Sequence, residues 1–519
     1  MMLDLRIENG TIITMDPARP VVRALGVWRG RVFATGDEVA GLAAREVLDL
    51  RGATVVPGFV DAHVHLAWTG LKARAASVAP SVDAGAMLRV IAEAARRVPE
   101  GGWVDVGGYD QRPLGRHLTA AELDAVSAGR KVFVTHDSGH ACLVNSAVLA
   151  MLPAGVRHRD GLLTEGDMAV ARRLRWPYAV DELVAAIAHA GREARSQGVT
   201  AVSEAGIAGG LIGHSPVELG AYQTARERGL LPVRARLMVA SDVPHAVAAH
   251  PDDDIPRALD LGLRTGFGDE WLSVGALKVF TDGGMMARTA ALTAPYVGLD
   301  HAGELAGDPA ALTATIVDGH RAGWQLAVHA IGDRAVDLAL DAIARAQAVK
   351  PGRRHRIEHA GLVRPDQLAR FRDLDVTAVV QPNFLWYLGD DYAEIMGPER
   401  ADWLYRGAGF LDAGVRLAAS SDRPVTDGAP LRAIQFMASR LTAGGRVVGA
   451  AERLSVADAL RAYTVGAAEA CGWADELGAL TPGRLADFVV LEENPLDTPV
   501  SRIADITIRD TYVDGRSLA

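Results

Sequence analysis

The stretch Pro57-Gly58-Phe59-Val60-Asp61-Ala62-His63-Val64-His65 is a hydrophobic run that ends in two histidines spaced two apart. Successive side chains of a strand point to opposite faces, so His63 and His65 share a face and both imidazoles can reach a single ion. On its own His-x-His is also found as a pair of ordinary strand residues. Position adds weight, because in a (β/α)8 barrel the C-terminal strand ends form the active-site face.

Outward from this stretch, β-rich runs alternate with helical patterns rich in Ala, Leu, Arg and Glu, the order expected of βα repeats around a parallel sheet. Eight candidate strands can be read: Thr54 to Val60, Val199 to Ser203, Val233 to Val239, Val274 to Phe280, Gln325 to His329, His355 to His359, Val376 to Gln381 and Val415 to Ser420. Runs such as Leu326-Ala327-Val328 lack alternation, as expected for strands buried on both faces. Residues 331–349 show the helical period, with Val336, Leu340 and Ile343 on one side and Arg334, Asp337, Asp341 and Arg345 on the other. The fold class is therefore α/β, a (β/α)8 TIM-like barrel over residues 57–476. The interval after the first strand is too long for a simple βα unit and predicts an insertion over residues 70–180.

Residues 1–56 read as short strands broken by Asn9-Gly10, Arg29-Gly30 and Gly36-Asp37, too few to bury themselves. A similar pattern returns only in Ala486 to Leu491 and Ile506 to Gly515. Residues 1–56 and 477–519 are therefore expected to pair into one small, discontinuous β-sandwich domain.

Composition excludes several classes. The 519 residues are 49% hydrophobic and 23% charged, as in ordinary soluble proteins. No stretch approaches the roughly 18 apolar residues that a membrane span requires, so no membrane partner is expected. The charged N-terminus does not resemble a secretory signal, and Cys142 and Cys471 cannot build a disulfide framework, which points to a reducing cytoplasm. A formal charge of -10 repels phosphate backbones, and no basic patch calls for nucleic acid; Arg353, Arg354 and Arg356 cluster just before a strand as loop charge. The expected partner is a small-molecule substrate, with a homodimer as the common assembly for such chains.

The later strand ends repeat the first signal. His329 ends Leu326-Ala327-Val328, His359 ends Arg356-Ile357-Glu358, and Asp422 follows Ala418-Ala419-Ser420-Ser421. Singly, each histidine reads equally as a hydrogen-bonded loop residue and Asp422 as a helix cap. On strands one, five, six and eight of a closed barrel they converge on one mouth. Lys278 lies inside Gly275-Ala276-Leu277-Lys278-Val279-Phe280. A charged lysine is expensive to bury, so it is either a partnered or snorkelling core lysine, or a neutral amine carrying CO2 as a carbamate that bridges two metals.

With these residues in place, the chain resembles the amidohydrolase superfamily, and within it amidohydrolase family 3, which includes N-substituted formamide deformylases. The resemblance rests on Pro57 to His65, Ser138-Gly139-His140 with Val144-Asn145-Ser146, Lys278 to Gly283, Arg288-Thr289-Ala290, His329 to Asp333, Arg356 to Ala360 and Ser421-Asp422. One departure is Gly283-Gly284-Met285-Met286, where the family often shows smaller residues before its Arg-Thr.

The resemblance implies a binuclear centre of two divalent metal ions. His63, His65 and Asp422 would hold the more buried ion, His329 and His359 the more exposed one, and Lys278, carbamylated by CO2, would bridge them. Zinc is the default for such ligands, with manganese, iron or nickel as alternatives. A bridging hydroxide would attack an amide or N-substituted formamide, with Asp422 as general base and acid. His140 would be a second catalytic or carbonyl-orienting group; otherwise it is an ordinary loop histidine. Asp282, Arg288, Trp103, Asp110 and Trp386 are candidate substrate contacts, each with an alternative as loop salt bridge or packing. The same site would suit a lactonase or esterase, a cyclic imide hydrolase or a heterocycle deaminase. A barrel without its metals would be a non-catalytic scaffold.

Overall fold

Eight parallel strands form the largest sheet of the computed structural model, which describes residues 2–136, 141–209, 211–350 and 354–517. In chain order they are β1 (Phe59–Val64), β2 (Val199–Ile207), β3 (Arg234–Ala240), β4 (Leu272–Phe280), β5 (Leu326–Ala330), β6 (Arg356–His359), β7 (Thr377–Val380) and β8 (Leu417–Ala419). Each pairs with its sequence neighbour in parallel register. The outer strands meet just past β8, where the Asp422 N–H donates to the His63 carbonyl at 2.8 Å and the His65 N–H to the Arg423 carbonyl at 2.9 Å. The Ser421 N–H donates to the Asp61 carboxylate at 2.9 Å. The seam thus closes at the end that carries the histidines.

Every residue of β1, β2 and β5 to β8 is buried, which is why these runs read as continuous apolar strands. Ala205, Met238, Ala276 and Ala327, one from each of β2 to β5, form a buried cluster. Ala276 and Ala327 precede Lys278 and His329 by two residues, so those two polar side chains lie one pleat nearer the C-terminal strand ends, on the same face. The helix Asp333–Val349 after β5 buries Val336, Leu340 and Ile343 and exposes Arg334, Asp341 and Arg345. That is the division its period implies.

The first barrel strand differs from the one read in the sequence. Thr54–Pro57 is a separate strand, paired with Phe488–Leu491 and Thr11–Ile13, and the barrel begins only at Phe59. Gly58 lies between the two. A Cβ there would stand 2.2 Å from Thr200 Oγ1, so the chain can pass from one sheet to the other only without a side chain.

The terminal segments form two further sheets. One runs Arg31–Thr35, Leu25–Trp28, Met2–Glu8, Ala43–Asp49; the other runs Arg516–Ser517, Ile508–Val513, Phe488–Leu491, Thr54–Pro57, Thr11–Ile13, Val21–Val22. Leu5, Ile7, Leu25 and Val27 of the first share a buried cluster with Ile12, Val55, Phe488 and Val490 of the second. Arg234 on β3 holds this region through two hydrogen bonds to Asp487, at 2.8 and 3.1 Å, with both side chains buried.

Residues 67–186 and 214–217 make a second unit, apart from the unit that holds the barrel and the terminal sheets. Its five strands run Leu162–Thr164, Ala141–Val144, Lys131–His136, Trp103–Tyr109, Ala76–Ser77. They have their own core, built on Val104, Val106, Val132, Val134 and Leu143 against Met87 and Ile91 of the helix Ala84–Arg96. Among the described residues no helix is long and apolar enough to cross a membrane.

Candidate metal centre

His63 lies at the end of β1 and His65 directly follows it, His329 ends β5 together with Ala330, His359 ends β6, and Asp422 follows β8. All five side chains are buried, and their rings meet: centroids lie 5.6 Å apart for His63 and His65, 5.0 Å for His63 and His359, and 4.4 Å for His329 and His359. His359 and Asp422 have positive φ, 71° and 52°, a conformation that costs about 1–3 kcal/mol and that the surrounding hydrogen bonds must hold.

Three of the imidazoles, those of His63, His359 and His329, are oriented by a hydrogen-bond partner on the far nitrogen. His63 Nδ1 lies 2.5 Å from Glu358, a buried carboxylate that also accepts from Arg356 at 2.5 and 2.8 Å. His359 Nδ1 donates to Gln381 Oε1 at 2.8 Å, and His329 Nε2 faces the Gly283 carbonyl and Asp282 Oδ1, each at 3.2 Å. Those partners leave the lone pairs on His63 Nε2, His359 Nε2 and His329 Nδ1. His65 Nδ1 stands 4.0 Å from Glu204, which accepts from the Leu66 N–H at 2.8 Å and from the Tyr222 hydroxyl.

On the inner side, polar atoms are left over. His63 Nε2, His329 Nδ1, Asp422 Oδ1 and Lys278 Nζ are buried with no hydrogen-bond partner among the described residues. Leaving such a group unpaired costs about 1–3 kcal/mol each, so a cluster of them marks the place of something bound. Asp422 Oδ1 is 3.1 Å from His65 Nε2 and 3.4 Å from His63 Nε2. Two ligands on one tetrahedral ion at bond lengths of about 2.0–2.1 Å stand roughly 3.3 Å apart, which these spacings match. His63, His65 and Asp422 thus fit a divalent cation, their ligand atoms lying within 4.8 Å of one another.

The electrostatics agree. Burial drives His63 well below its ordinary value, with Lys278 adding to the shift, and burial followed by the neighbouring His329 does the same to His359. Both rings are neutral at pH 7, as a metal ligand must be. Burial works to raise the Asp422 carboxyl, but the facing His63 and His65 outweigh it, and the group stays below the usual carboxylate range. Burial pulls the Lys278 amine down to about 8, against the attraction of Glu358 and Asp422. A neutral fraction of that amine is therefore present near neutral pH.

The other sequence candidates are distributed differently. Asp282 is buried and accepts backbone N–H bonds from Ile331 at 3.0 Å, Gly332 at 2.8 Å and Ala291 at 3.0 Å. Its carboxylate thereby ties down the loop after β5, with His329 Nε2 3.2 Å away. Arg288 is exposed, with a φ of 56°. Trp386 is not in a loop: it lies on the helix Pro382–Met396 and stacks under the Arg432 guanidinium at 4.3 Å. Trp103 and Asp110 belong to the second unit. There Trp103 packs on the core beside Phe133, with Lys131 and Arg175 over its ring at 5.5 and 5.9 Å. Asp110 pairs with Arg112 at 2.7 Å. His140 lies outside the described residues. Glu358 and Gln381, which orient two of the rings, were not singled out in the sequence. Glu358 stood inside a strand motif, and the only signal for it was a carboxylate two residues from a buried arginine.

Comparison with known proteins points the same way. Residues 46–519 match the model of the amidohydrolase family. The protein LONG AFTER FAR-RED 3 of Arabidopsis thaliana is 31% identical, over 100% of this chain and 92% of its own length. The N-substituted formamide deformylase of Arthrobacter pascens is 28% identical, over 99% of this chain and 98% of its own. An uncharacterized metal-dependent hydrolase from Pyrococcus horikoshii superposes with a TM-score of 0.82 at 28% identity, covering 96% of this chain and 99% of that one.

Proposed function

The chain belongs to the amidohydrolase family, and from that premise we propose that it hydrolyses the carbon–nitrogen bond of a small amide, an N-substituted formamide being the reference substrate. It is a metal-dependent hydrolase acting on carbon–nitrogen bonds. The substrate class rests on the formamide deformylase among its relatives.

The observation that carries the site assignment is the set of buried ligand atoms on His63, His329, Lys278 and Asp422 in one barrel mouth that have no hydrogen-bond partner among the described residues. In the proposed centre His63, His65 and Asp422 would hold one ion, His329 and His359 a second, and a carbamate on Lys278 would be shared by both. Zinc suits this mixture of imidazole and carboxylate ligands. When bound, the ion pair supplies an acidified water at neutral pH and a Lewis acid for the scissile carbonyl.

The protein's own groups do the rest. The neutral Lys278 amine forms an N–C bond to CO2 and releases a proton, leaving an anion with two oxygens. Asp422, held ionised, accepts a proton from the attacking water at a carboxylate oxygen and returns it to the leaving amine nitrogen. Asp282 and Gln381 keep His329 and His359 turned inward. A reducing compartment, the cytoplasm, is proposed on the two free, buried thiols.

The test is metal analysis of the purified protein, followed by assay of formate, ammonia and free amine release. The panel holds N-alkyl and N-aryl formamides, a lactone, a cyclic imide and an aminopyrimidine. Formate and amine in equal amounts are expected. Turnover of the lactone, imide or aminopyrimidine with none of the formamides would replace this substrate reading.

A further inference from the structure

Tyr405 stands out among the buried groups that the mechanism above does not use. Its side chain is fully enclosed, at 2% exposure, yet its hydroxyl has no hydrogen-bond partner among the described residues. Buried tyrosines ordinarily find a partner for that hydroxyl, and packing alone would be served as well by phenylalanine.

The fold ties this residue to the mouth. Its backbone N–H donates to the Gly361 carbonyl at 2.9 Å, two residues past His359, and its own carbonyl accepts from Arg440 at 2.9 Å. The ring's Cζ, which carries the hydroxyl, lies 3.4 Å from where a Cβ on Gly361 would stand. Phe384 meets the Tyr405 ring edge-on at 5.9 Å and lies parallel to the His359 imidazole at 6.4 Å. Tyr392 lies parallel to the Tyr405 ring at 6.4 Å. The backbone at Tyr405 is in the left-handed region, with φ 42°, so its placement is enforced rather than relaxed.

The phenol is also within the field of both carboxylates of the cluster. Burial first, then Tyr392, Asp422 and Asp282, push its ionisation well above the ordinary tyrosine range. Asp422 faces His63 and His65, while Asp282 touches His329. The hydroxyl is therefore a protonated donor at any working pH, with no acceptor among the described residues.

We propose that the missing acceptor is the substrate's carbonyl oxygen: Tyr405 is a substrate-contacting residue that donates its hydroxyl hydrogen to that oxygen as it gains negative charge. The inference rests on the hydrolytic reading above and adds a residue to it. No proton is transferred; the O–H stays intact and the hydrogen bond strengthens as the carbonyl carbon becomes tetrahedral. One donor of this kind is worth about 100- to 1000-fold in turnover.

The experiment compares wild type with Tyr405→Phe, which keeps the ring, both prepared with zinc. In the variant kcat should fall at least about 100-fold with KM changed less than about 3-fold, while metal content and Tm stay the same. Calorimetry with methylphosphonate, a tetrahedral oxyanion, should show binding about 10-fold weaker in the variant. Equal kcat in the two proteins overturns the assignment, as does equal affinity for methylphosphonate or binding to neither; an ordered water satisfying the hydroxyl would give those results. Should a lactone prove the substrate and the variant lose turnover on it, the amide reading fails and the Tyr405 assignment stands.

Discussion

Glu358 on the sixth barrel strand lies 2.5 Å from Nδ1 of His63 on the first, so the two sides of the barrel are joined through an imidazole. Arg356 balances the carboxylate from the same strand and reaches on to the Ala62 carbonyl at 2.6 Å. An acceptor on Nδ1 fixes the tautomer and makes the opposite nitrogen the more basic ligand. Glu358→Gln retains an oxygen acceptor but loses the charge, and is expected to weaken zinc binding about 10- to 100-fold, read by competition with a chromophoric chelator. Unchanged affinity would reduce the contact to packing.

The depressed carboxyl of Asp422 is an acceptor throughout the neutral range. In Asp422→Asn the amide still offers an oxygen toward His63 and His65, so bound metal should persist while kcat falls about a thousandfold. Metal retention is measured by elemental analysis and turnover by formate release. Turnover within a few-fold of wild type would remove the acid and base role.

Lys278 tests how many ions the centre holds. Lys278→Ala removes the proposed bridge and leaves His63, His65 and Asp422 in place, so metal stoichiometry should fall from about two to about one, with activity lost. Adding a short carboxylic acid at tens of millimolar should restore part of it by standing in for the carbamate. Two ions retained without Lys278 would show that the amine is not a bridge.

The thiols give a pH prediction. Burial pushes the Cys142 thiol up to about 12 and raises Cys471 as well, both above the ordinary value of about 8.5. A raised acid is neutral in the fold where the unfolded chain would ionise. Its contribution to stability is therefore complete below about pH 8.5 and declines as pH climbs toward 12. Native protein at pH 8 should leave both cysteines unlabelled by a disulfide reagent over an hour, and denatured protein should label both within minutes. Rapid labelling of the native form would contradict the burial.

Much of the centre was legible because a strand's period of two and its position at a barrel end are local properties. His63, His65, His329, His359 and Asp422 each end or follow an apolar run, and that pattern needs no knowledge of partners. What orients them is not local. Glu358 and His63 are 295 residues apart in sequence, and no spacing rule connects them. The start of the first barrel strand is not marked in the sequence, because residues 53–67 are buried without a break; the pairing of Thr54–Pro57 with Phe488–Leu491 shows that two sheets share that run. For Trp386 the helix is signalled locally by Pro382 at the first helical position.

The barrel's seam has a consequence for how the protein matures. Its first and last strands are joined by the same residues, His63 and Asp422, that belong to the candidate cation site. A nascent chain on the ribosome presents His63 and His65 early, but the carboxylate that completes the set emerges only when nearly all the barrel has been synthesised. A metal ion held by this set would therefore be captured only once nearly all the barrel has been made, since an incomplete chain would offer a histidine pair without its carboxylate.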